Sequence, residues 1–357
     1  MGEFSIRSPA KPIAKIKGGG IKGLALAYFL KKQGIPSIIY EKSDRLGGWI
    51  QTVEHRGFLF ERGPHSFRGH LVALKMVQDL GLEDQLIRPA DTKRYLYHRG
   101  RLVQPSHFFP WIALGLLRDT LLPKCRQEMS VQDYFNYRLG KTCTRCLIDP
   151  LATGIFAGDI DKLSAQNAFP DMTRKGSVLR SLWGRSKWPI FSFKKGMQTL
   201  VDALAQGQEV RLGQTLDDPD FDCSPNLDDA YTSMVVIHFG WKKPVLKLSG
   251  LGYLIPQIEK EQILGALFNG NNSLSVMMGG AHHPHLIDVP DAELLEIATR
   301  ALKKHLGIEA GPEAYLIHRA KNAIPQPLMG QQPKALGVSG ALLEAYEISS
   351  HSTLNIF

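Results

Sequence analysis

Residues 17–42 read KGGGIKGLALAYFLKKQGIPSIIYEK. Gly18, Gly20 and Gly23 fit the pattern G-x-G-x-x-G. Glycine is needed at those places when a strand turns at once into a helix, its backbone approaches a pyrophosphate, and the helix lies close on the strand. The start of such a helix, at Ile21, offers free N–H groups and a partial positive charge to phosphate. Leu24, Ala25, Ala27, Tyr28 and Leu30 predict a buried helical face over 21–32. Gly34 stops that helix and Pro36 marks a loop. SIIYEK then predicts a buried strand ending in Glu41. A carboxylate there, about 20 residues past the glycines, accepts hydrogen bonds from a ribose. No Gly-Lys-Ser/Thr follows, which excludes a P-loop. The pattern predicts an α/β, Rossmann-like dinucleotide-binding domain. Lys15 and Lys17, in PIAKIK, stand where a central parallel strand is normally apolar, so that strand is expected to be short or poorly formed. Lys22 lies inside the fingerprint, and its charge is compatible with a phosphate.

The next residues separate two cofactors. EKSDRLGGWIQT, from Glu41, carries Arg45, Gly47 and Gly48 as a second glycine element shortly after the acid. With the first fingerprint, it resembles the N-terminal signature of the FAD-dependent amine oxidase and protoporphyrinogen oxidase superfamily. The resemblance implies FAD. It implies cofactor contacts from Gly18, Gly20, Ile21, Gly23, Glu41, Lys42, Arg45, Gly47, Gly48 and Trp49, with Arg45 helping to hold the phosphates. FLFERGPHSFR follows, and its Gly63-Pro64 is similar to the family's turn beside the isoalloxazine ring.

Later segments resemble the porphyrinogen-oxidising branch. In KRYLYHRGRLVQP, Arg94 takes the place of an arginine that faces a substrate propionate. Guanidinium pairs with a carboxylate through two parallel hydrogen bonds, so the chemistry is apt. DPLATGIFAGDIDKLSAQNAFP resembles a family segment in which small residues, here Ala157 and Gly158, let a flat tetrapyrrole lie near backbone. GLGYLIP and SVMMGG are similar to its substrate-domain strands, which makes Leu251, Gly252, Leu254 and Met277 candidate pocket residues. FKKGMQTLVDAL and HRAKNAIPQP resemble the two returns toward the flavin domain.

The totals fit this reading without choosing it. The 357 residues carry 43% hydrophobic and 22% charged residues and a formal net charge of +9. The basic residues are scattered, and no nucleic-acid-binding motif surrounds them. Cys143 and Cys146 form a C-x-x-C without a second pair, and His282, His283 and His285 lack helical or cysteine partners, so no metal is expected. The N-terminus has no apolar signal region, and no run of 18 apolar residues occurs. RLVQPSHFFPWIALGLLRDTLLPK, from Arg101 to Lys124, is apolar, aromatic and bordered by cations, as a helix lying in the headgroup layer would be.

Five segments follow from the motif order. Residues 1–85 open the FAD-binding domain, and 86–190 form an inserted helical, membrane-facing domain. Residues 191–230 are a shortened return, 231–318 a mixed α+β substrate domain, and 319–357 an incomplete C-terminal return with an incomplete closing helix. Family members spend more residues after QGQEVRLGQTLDDPDFDCSPNLDDAYTSM, before the substrate strands.

The resemblance implies FAD-dependent oxidation of protoporphyrinogen to protoporphyrin, with coproporphyrinogen as the alternative substrate. No side chain is expected to be catalytic, because the flavin carries the chemistry. The electron acceptor would be oxygen or a quinone, and the site cytoplasmic, peripheral on the inner face of the membrane. Another flavin amine oxidase or a carotenoid-type desaturase remains open, as does an inactive copy that keeps the shape alone.

Overall fold

Strands β1 (Ala14–Lys17) and β2 (Ser37–Glu41) run parallel, joined by helix α1 (Ile21–Lys32), as the glycine pattern predicts. The computed structural model describes residues 13–182, 188–225, 229–331 and 337–355. The N-terminal residues 1–12, read for a signal region, lie outside them. Helix α1 ends as Gly34 requires. Gly34 takes φ 71°, and the Gly34 and Ile35 N–H groups donate to Lys31 O and Leu30 O at 3.0 and 2.9 Å. This double closure satisfies carbonyls that a helix end otherwise leaves bare.

With β10 (Glu209–Leu212) and β11 (Phe221–Asp222) these strands form a four-stranded parallel sheet, order β10-β2-β1-β11. Its two faces differ. Ala14, Ile16 and Ile39 are buried against α1 and its neighbours. Lys15, Lys17, Tyr40 and Arg211 lie on the opposite face, exposed or half-buried. The lysines of β1 therefore follow a period of two, the signature of a strand buried on one side only. Lys17 pairs with Asp222 at 3.4 Å, and the Lys15 N–H donates to Asp220 at 2.7 Å. Among the described residues, β11 is the only strand between β10 and the substrate sheet.

The C-terminal segment, where the sequence suggests an incomplete closing helix, holds one helix, Gly337–Asn355. Val338, Leu342 and Ala345 recur at helical spacing and are buried in the same core as Leu24, Leu26 and Leu30 of α1. Lys22 pairs with Glu344 of this helix. Ser339 Oγ accepts from Arg68 N–H at 2.8 Å and donates to Arg68 O at 3.1 Å.

A seven-stranded sheet forms the second half. In sheet order it contains β16 (Ala314–Pro325), β12 (Tyr231–Gly240), β15 (Ser273–Gly279), β14 (Ile263–Phe268), β13 (Gly252–Leu254), β7 (Arg94–His98) and β8 (Arg101–Val103). Residues 94–103, a strand and turn inside the 86–190 segment that the sequence makes largely helical, belong to this sheet. Alternation decides its faces. Val235, Ile237, Phe239, Val276, Met278 and Tyr253 pack on the helix Asp291–Leu306 through Leu294, Ile297 and Ala298. The other face looks toward the flavin-type half. Hairpin β3 (Thr52–His55) and β4 (Phe58–Glu61) bridges the halves, since Phe60 stacks on His238 at 5.3 Å between ring centres. Short strands β5 (Phe67–Arg68), β6 (Leu86–Ile87) and β9 (Ile190–Phe193) make a small sheet beside α2 (Leu71–Asp79).

Between β8 and β9 the chain is helical. Helices α3 (Phe109–Leu121) and α4 (Val131–Leu139) pack over Val131, Tyr134, Phe135, Phe156 and Phe169. Arg138, fully buried, pairs with buried Asp119 at 3.4 Å and donates to Leu122 O and Pro123 O at 3.1 and 2.7 Å. Among the described residues no helix is long and apolar enough to cross a membrane.

Candidate functional site

Three glycines at the end of β1 do three jobs. Gly18 holds φ 101°, which a side chain would resist. Gly23 lies so near that a Cβ on it would stand 2.0 Å from Gly18 O. Gly20 caps α1 without any side chain, and a Cβ there would meet only Gly48 Cα, at 3.9 Å. The first turn of α1 holds no acid, and its N–H groups have no capping side chain. These are the features of an anion cradle at a helix start.

The two glycine elements, 24 or more positions apart in the motif order, touch in space. The Gly47 N–H donates to Gly19 O at 2.9 Å, and Gly20 and Gly47 form a parallel bridge. Arg45 donates to Leu46 O and Ile50 O, both at 3.1 Å, and to Gly48 O. It clamps the Gly47–Gly48 turn through three carbonyls. Glu41, buried at the tip of β2, accepts from Gly19 N–H at 2.6 Å and from Ser43 N–H and Oγ at 2.9 and 2.7 Å. Burial raises its pKa, but the bonds from Ser43 and Gly19 and the charge of Lys42 outweigh that and hold the carboxyl below its ordinary value. Each carboxylate oxygen has lone pairs to spare for a hydroxyl donor. Lys42 and Trp49 are exposed beside this cradle, and Ile21 is half-buried. Glycine cradle, free helix start and ionised carboxylate together fit a dinucleotide.

Gly63 ties the second turn to the third. A Cβ on Gly63 would lie 1.8 Å from Trp49 O, so only glycine lets Gly63-Pro64 pass there. Glu61, just before it, accepts from Met197 N–H at 2.7 Å and Thr52 Oγ1 at 3.1 Å. Burial raises the Glu61 pKa against those bonds. FKKGMQTL is thereby docked on the β3–β4 hairpin.

The substrate candidates meet through strand register. Arg94 pairs with Gly252, Gly252 with Leu267, Leu267 with Ser275, and Ser275 with His238. One step along, Leu254 pairs with Gly265, Gly265 with Met277, Met277 with Val236, and Val236 with His318. Paired residues share a face. Arg94, Gly252, Leu254 and Met277 therefore stand on the single face turned from the helix Asp291–Leu306, and Arg94 is exposed near one edge of it. Leu251 precedes β13 and stands outside this register, with its N–H on Lys93 O at 2.8 Å. Ala157, left-handed at φ 47°, accepts from Ala281 N–H at 2.8 Å and packs with Leu264 and Met277. A Cβ on Gly158 would stand 2.6 Å from Gln326 Oε1, and Gln326 Nε2 donates to Phe156 O at 2.8 Å. GIFAG, SVMMGG and IPQ, read as separate motifs, close on one another here.

The sequence reading missed a histidine group on that face. His238 is fully buried, with Nδ1 2.8 Å from Ser275 Oγ, and its ring lies 6.0 Å from His65. Burial, then the nearby His65, His318 and Arg62, lower its pKa to about 3. The signal was one polar residue in the apolar run Met234–Phe239. Cys143 and Cys146 are buried free thiols whose pKa values burial raises. Among the described residues no cluster of histidine, cysteine or acid has the arrangement of a metal site.

Relatives share this architecture. Residues 22–218 match the family described as flavin containing amine oxidoreductase. The coproporphyrinogen III oxidase of Bacillus subtilis is 25% identical over 434 aligned residues, covering 95% of this chain and 92% of the relative. The protoporphyrinogen oxidase of Bos taurus is 27% identical over 424, covering 89% of each. The Bacillus alignment is longer than this chain of 357 residues, so that relative has internal stretches lacking here. The crystal structure of a provisionally named protoporphyrinogen oxidase from Exiguobacterium sp. 255-15 superposes with TM-score 0.79 at 20% identity, covering 98% of this chain and all of that one. With its paired glycine turns, its acid-tipped second strand and a match over more than half its length, the chain belongs to the flavin containing amine oxidoreductase family.

Proposed function

We propose that this chain binds FAD and oxidises a porphyrinogen to its porphyrin, protoporphyrinogen being the principal substrate. The observation that carries the reading is the register of the seven-stranded sheet. It sets Arg94 at one side of a face that carries Gly252, Leu254, Gly265 and Met277, with Ser275 and the histidines farther along. The relatives named for porphyrinogen oxidation support the same reading, and the Bacillus relative makes coproporphyrinogen the second candidate.

The residues divide the work. Gly18, Gly20 and the start of α1 receive the pyrophosphate, with Gly47 and Gly48 keeping the opposite wall free of side chains. Glu41 receives the ribose hydroxyls, and Arg45 braces the turn beside them. Bound FAD supplies hydride acceptance. Arg94 anchors a propionate, and a guanidinium holds a carboxylate in a fixed plane. Gly252, Gly265, Leu254 and Met277 offer a flat, dry surface to the macrocycle, and Ala157 with Gly158 admits it close to backbone. No side chain of the chain is assigned a proton-transfer role. The re-oxidant is oxygen or a quinone.

Helix α3 exposes Phe109 at 67%, Leu114 at 67%, Leu117 at 61% and Leu121 at 79%, an apolar face wide enough to rest in the headgroup layer. The protein is thus a peripheral one on the cytoplasmic side of a membrane, the phase from which an apolar substrate comes.

The test is reconstitution with FAD followed by addition of protoporphyrinogen or coproporphyrinogen. FAD-dependent growth of porphyrin fluorescence supports the reading. Flavin reduction by an amine, with neither porphyrinogen oxidised, would move the protein to the amine-oxidising side of its family.

A further inference from the structure

The apolar face of α3 ends at a cleft that the oxidation chemistry leaves unused. Its volume is about 490 Å³, and Phe108 and Trp111 form one wall. Arg99, Lys141 and Arg145 bring their cationic side chains to it. All three residues are exposed, and none has a carboxylate partner among the described residues. The only acid in the lining is Glu259, and it is already engaged. Its Oε1 lies 3.1 Å from His98 Nδ1, and its Oε2 accepts the Arg99 N–H at 3.1 Å. The cleft therefore carries a surplus of positive charge against an aromatic wall.

Trp111 is shared by cleft and helix. It lies in the first turns of α3, 46% exposed, one turn before Leu114 and beside the face that Leu114, Leu117 and Leu121 expose. A group with an anionic head and apolar tails would meet cations in the cleft and carbon along the helix. Phosphate on a free small molecule would meet only the first half.

We propose that this cleft seats the phosphate headgroup of an anionic membrane lipid, with Lys141 and Arg145 as its principal contacts. The proposal rests on the peripheral-membrane reading of α3. It adds a site and a lipid charge class to that reading. Near an anionic surface each cation strengthens binding roughly fivefold, so the pair contributes roughly 25-fold.

The test uses the FAD-reconstituted chain and sedimentation with vesicles. One set is phosphatidylcholine alone, the other phosphatidylcholine with phosphatidylglycerol. The wild type should partition more strongly onto the anionic set. K141Q/R145Q should lose roughly 25-fold of that preference while keeping its melting temperature and its porphyrinogen turnover in detergent. L114S/L117S should weaken binding to both vesicle types. Equal preference for anionic vesicles in wild type and K141Q/R145Q overturns the cleft while leaving the helix face standing. No sedimentation of the wild type with either set overturns both. Inorganic phosphate that raises the melting temperature of the wild type but not of K141Q/R145Q, with no vesicle preference, assigns the cleft to a free anion and overturns the lipid. Should K141Q/R145Q melt early, K141A and R145A singly provide the same comparison.

Discussion

Gly23 and Gly18 lie in such close contact that a methyl group on Gly23 would stand 2.0 Å from the Gly18 carbonyl oxygen. The helix is therefore pressed onto the turn that faces the phosphates, and the turn cannot move without the helix. Gly23→Ala should displace the cradle. Overpacking of this kind costs about 1–3 kcal/mol. The denaturation midpoint should fall, and the dissociation constant for FAD should rise about tenfold. Fluorescence titration with FAD measures the second effect. Unchanged affinity would mean that this loop does not hold the cofactor.

Arg94 stands across the apolar sheet face from the histidines and takes no part in the dinucleotide cradle. Arg94→Ala should raise KM for a porphyrinogen about tenfold, the cost of one lost charged hydrogen bond, and leave FAD stoichiometry at its wild-type value. Arg94→Lys should recover part of the loss, since an ammonium cannot bond a carboxylate in two-pronged fashion. Steady-state kinetics on both variants decides. A KM that does not change removes Arg94 from the substrate site.

Much of the cradle is legible in the amino-acid sequence alone. The α1 boundaries and the acid at the end of β2 follow from local rules, because a glycine at positive φ or under a carbonyl leaves few alternatives, whereas the second glycine turn is read from the family resemblance and its contact with Gly19 is not legible. Register is not legible. That Arg94 shares a face with Gly252 and Met277 depends on strands more than 150 residues apart in the chain pairing in one phase. The lysines of β1 mislead for a related reason. They look wrong for a sheet covered on both sides, and they are right for one covered on a single side. The C-terminal helix is hidden because Val338, Leu342 and Ala345 are a sparse apolar stripe whose burial depends on α1. His238 reads as one more residue of a strand, and only the packing of the two halves buries it.

Asp119 and Arg138 bind the helical region from inside. Asp119 Oδ2 also accepts from Ser177 Oγ at 2.5 Å and Leu179 N–H at 3.1 Å. Asp119→Ala leaves a buried guanidinium without its counter-charge, and such losses cost about 3–5 kcal/mol. Urea denaturation should show that drop. The pair replaced together by apolar residues of similar volume, as in Asp119→Leu with Arg138→Met, should cost far less than the single change. Equal losses in both variants would show that packing, not charge, holds the region.

Acid should loosen the junction of the two halves. The His238 pKa is lowered to about 3 by burial and by His65, His318 and Arg62, from an ordinary value of 6.5. Between those values the unfolded chain binds the proton and the folded chain does not. Stability from this residue is therefore full above pH 6.5 and declines as pH falls toward 3, by about 1.4 kcal/mol per pH unit. His65, lowered to about 4 mainly by burial, adds a slope of the same sign. His238→Gln should flatten the acid limb of urea midpoint against pH. A limb as steep as in the wild type would place the loss elsewhere.

The central claim is that a flavin held by the glycine cradle takes hydride from a tetrapyrrole lying on the Arg94 sheet face. Anaerobic mixing of the FAD-reconstituted protein with protoporphyrinogen tests it, watching the visible flavin absorbance in a stopped flow. The account predicts that the flavin band bleaches by one two-electron reduction while no acceptor is present, and that it returns, with porphyrin absorbance rising over three such turnovers, when oxygen or a quinone is admitted. A protein that takes up no FAD, or a bound flavin that stays oxidised with either porphyrinogen, would contradict it.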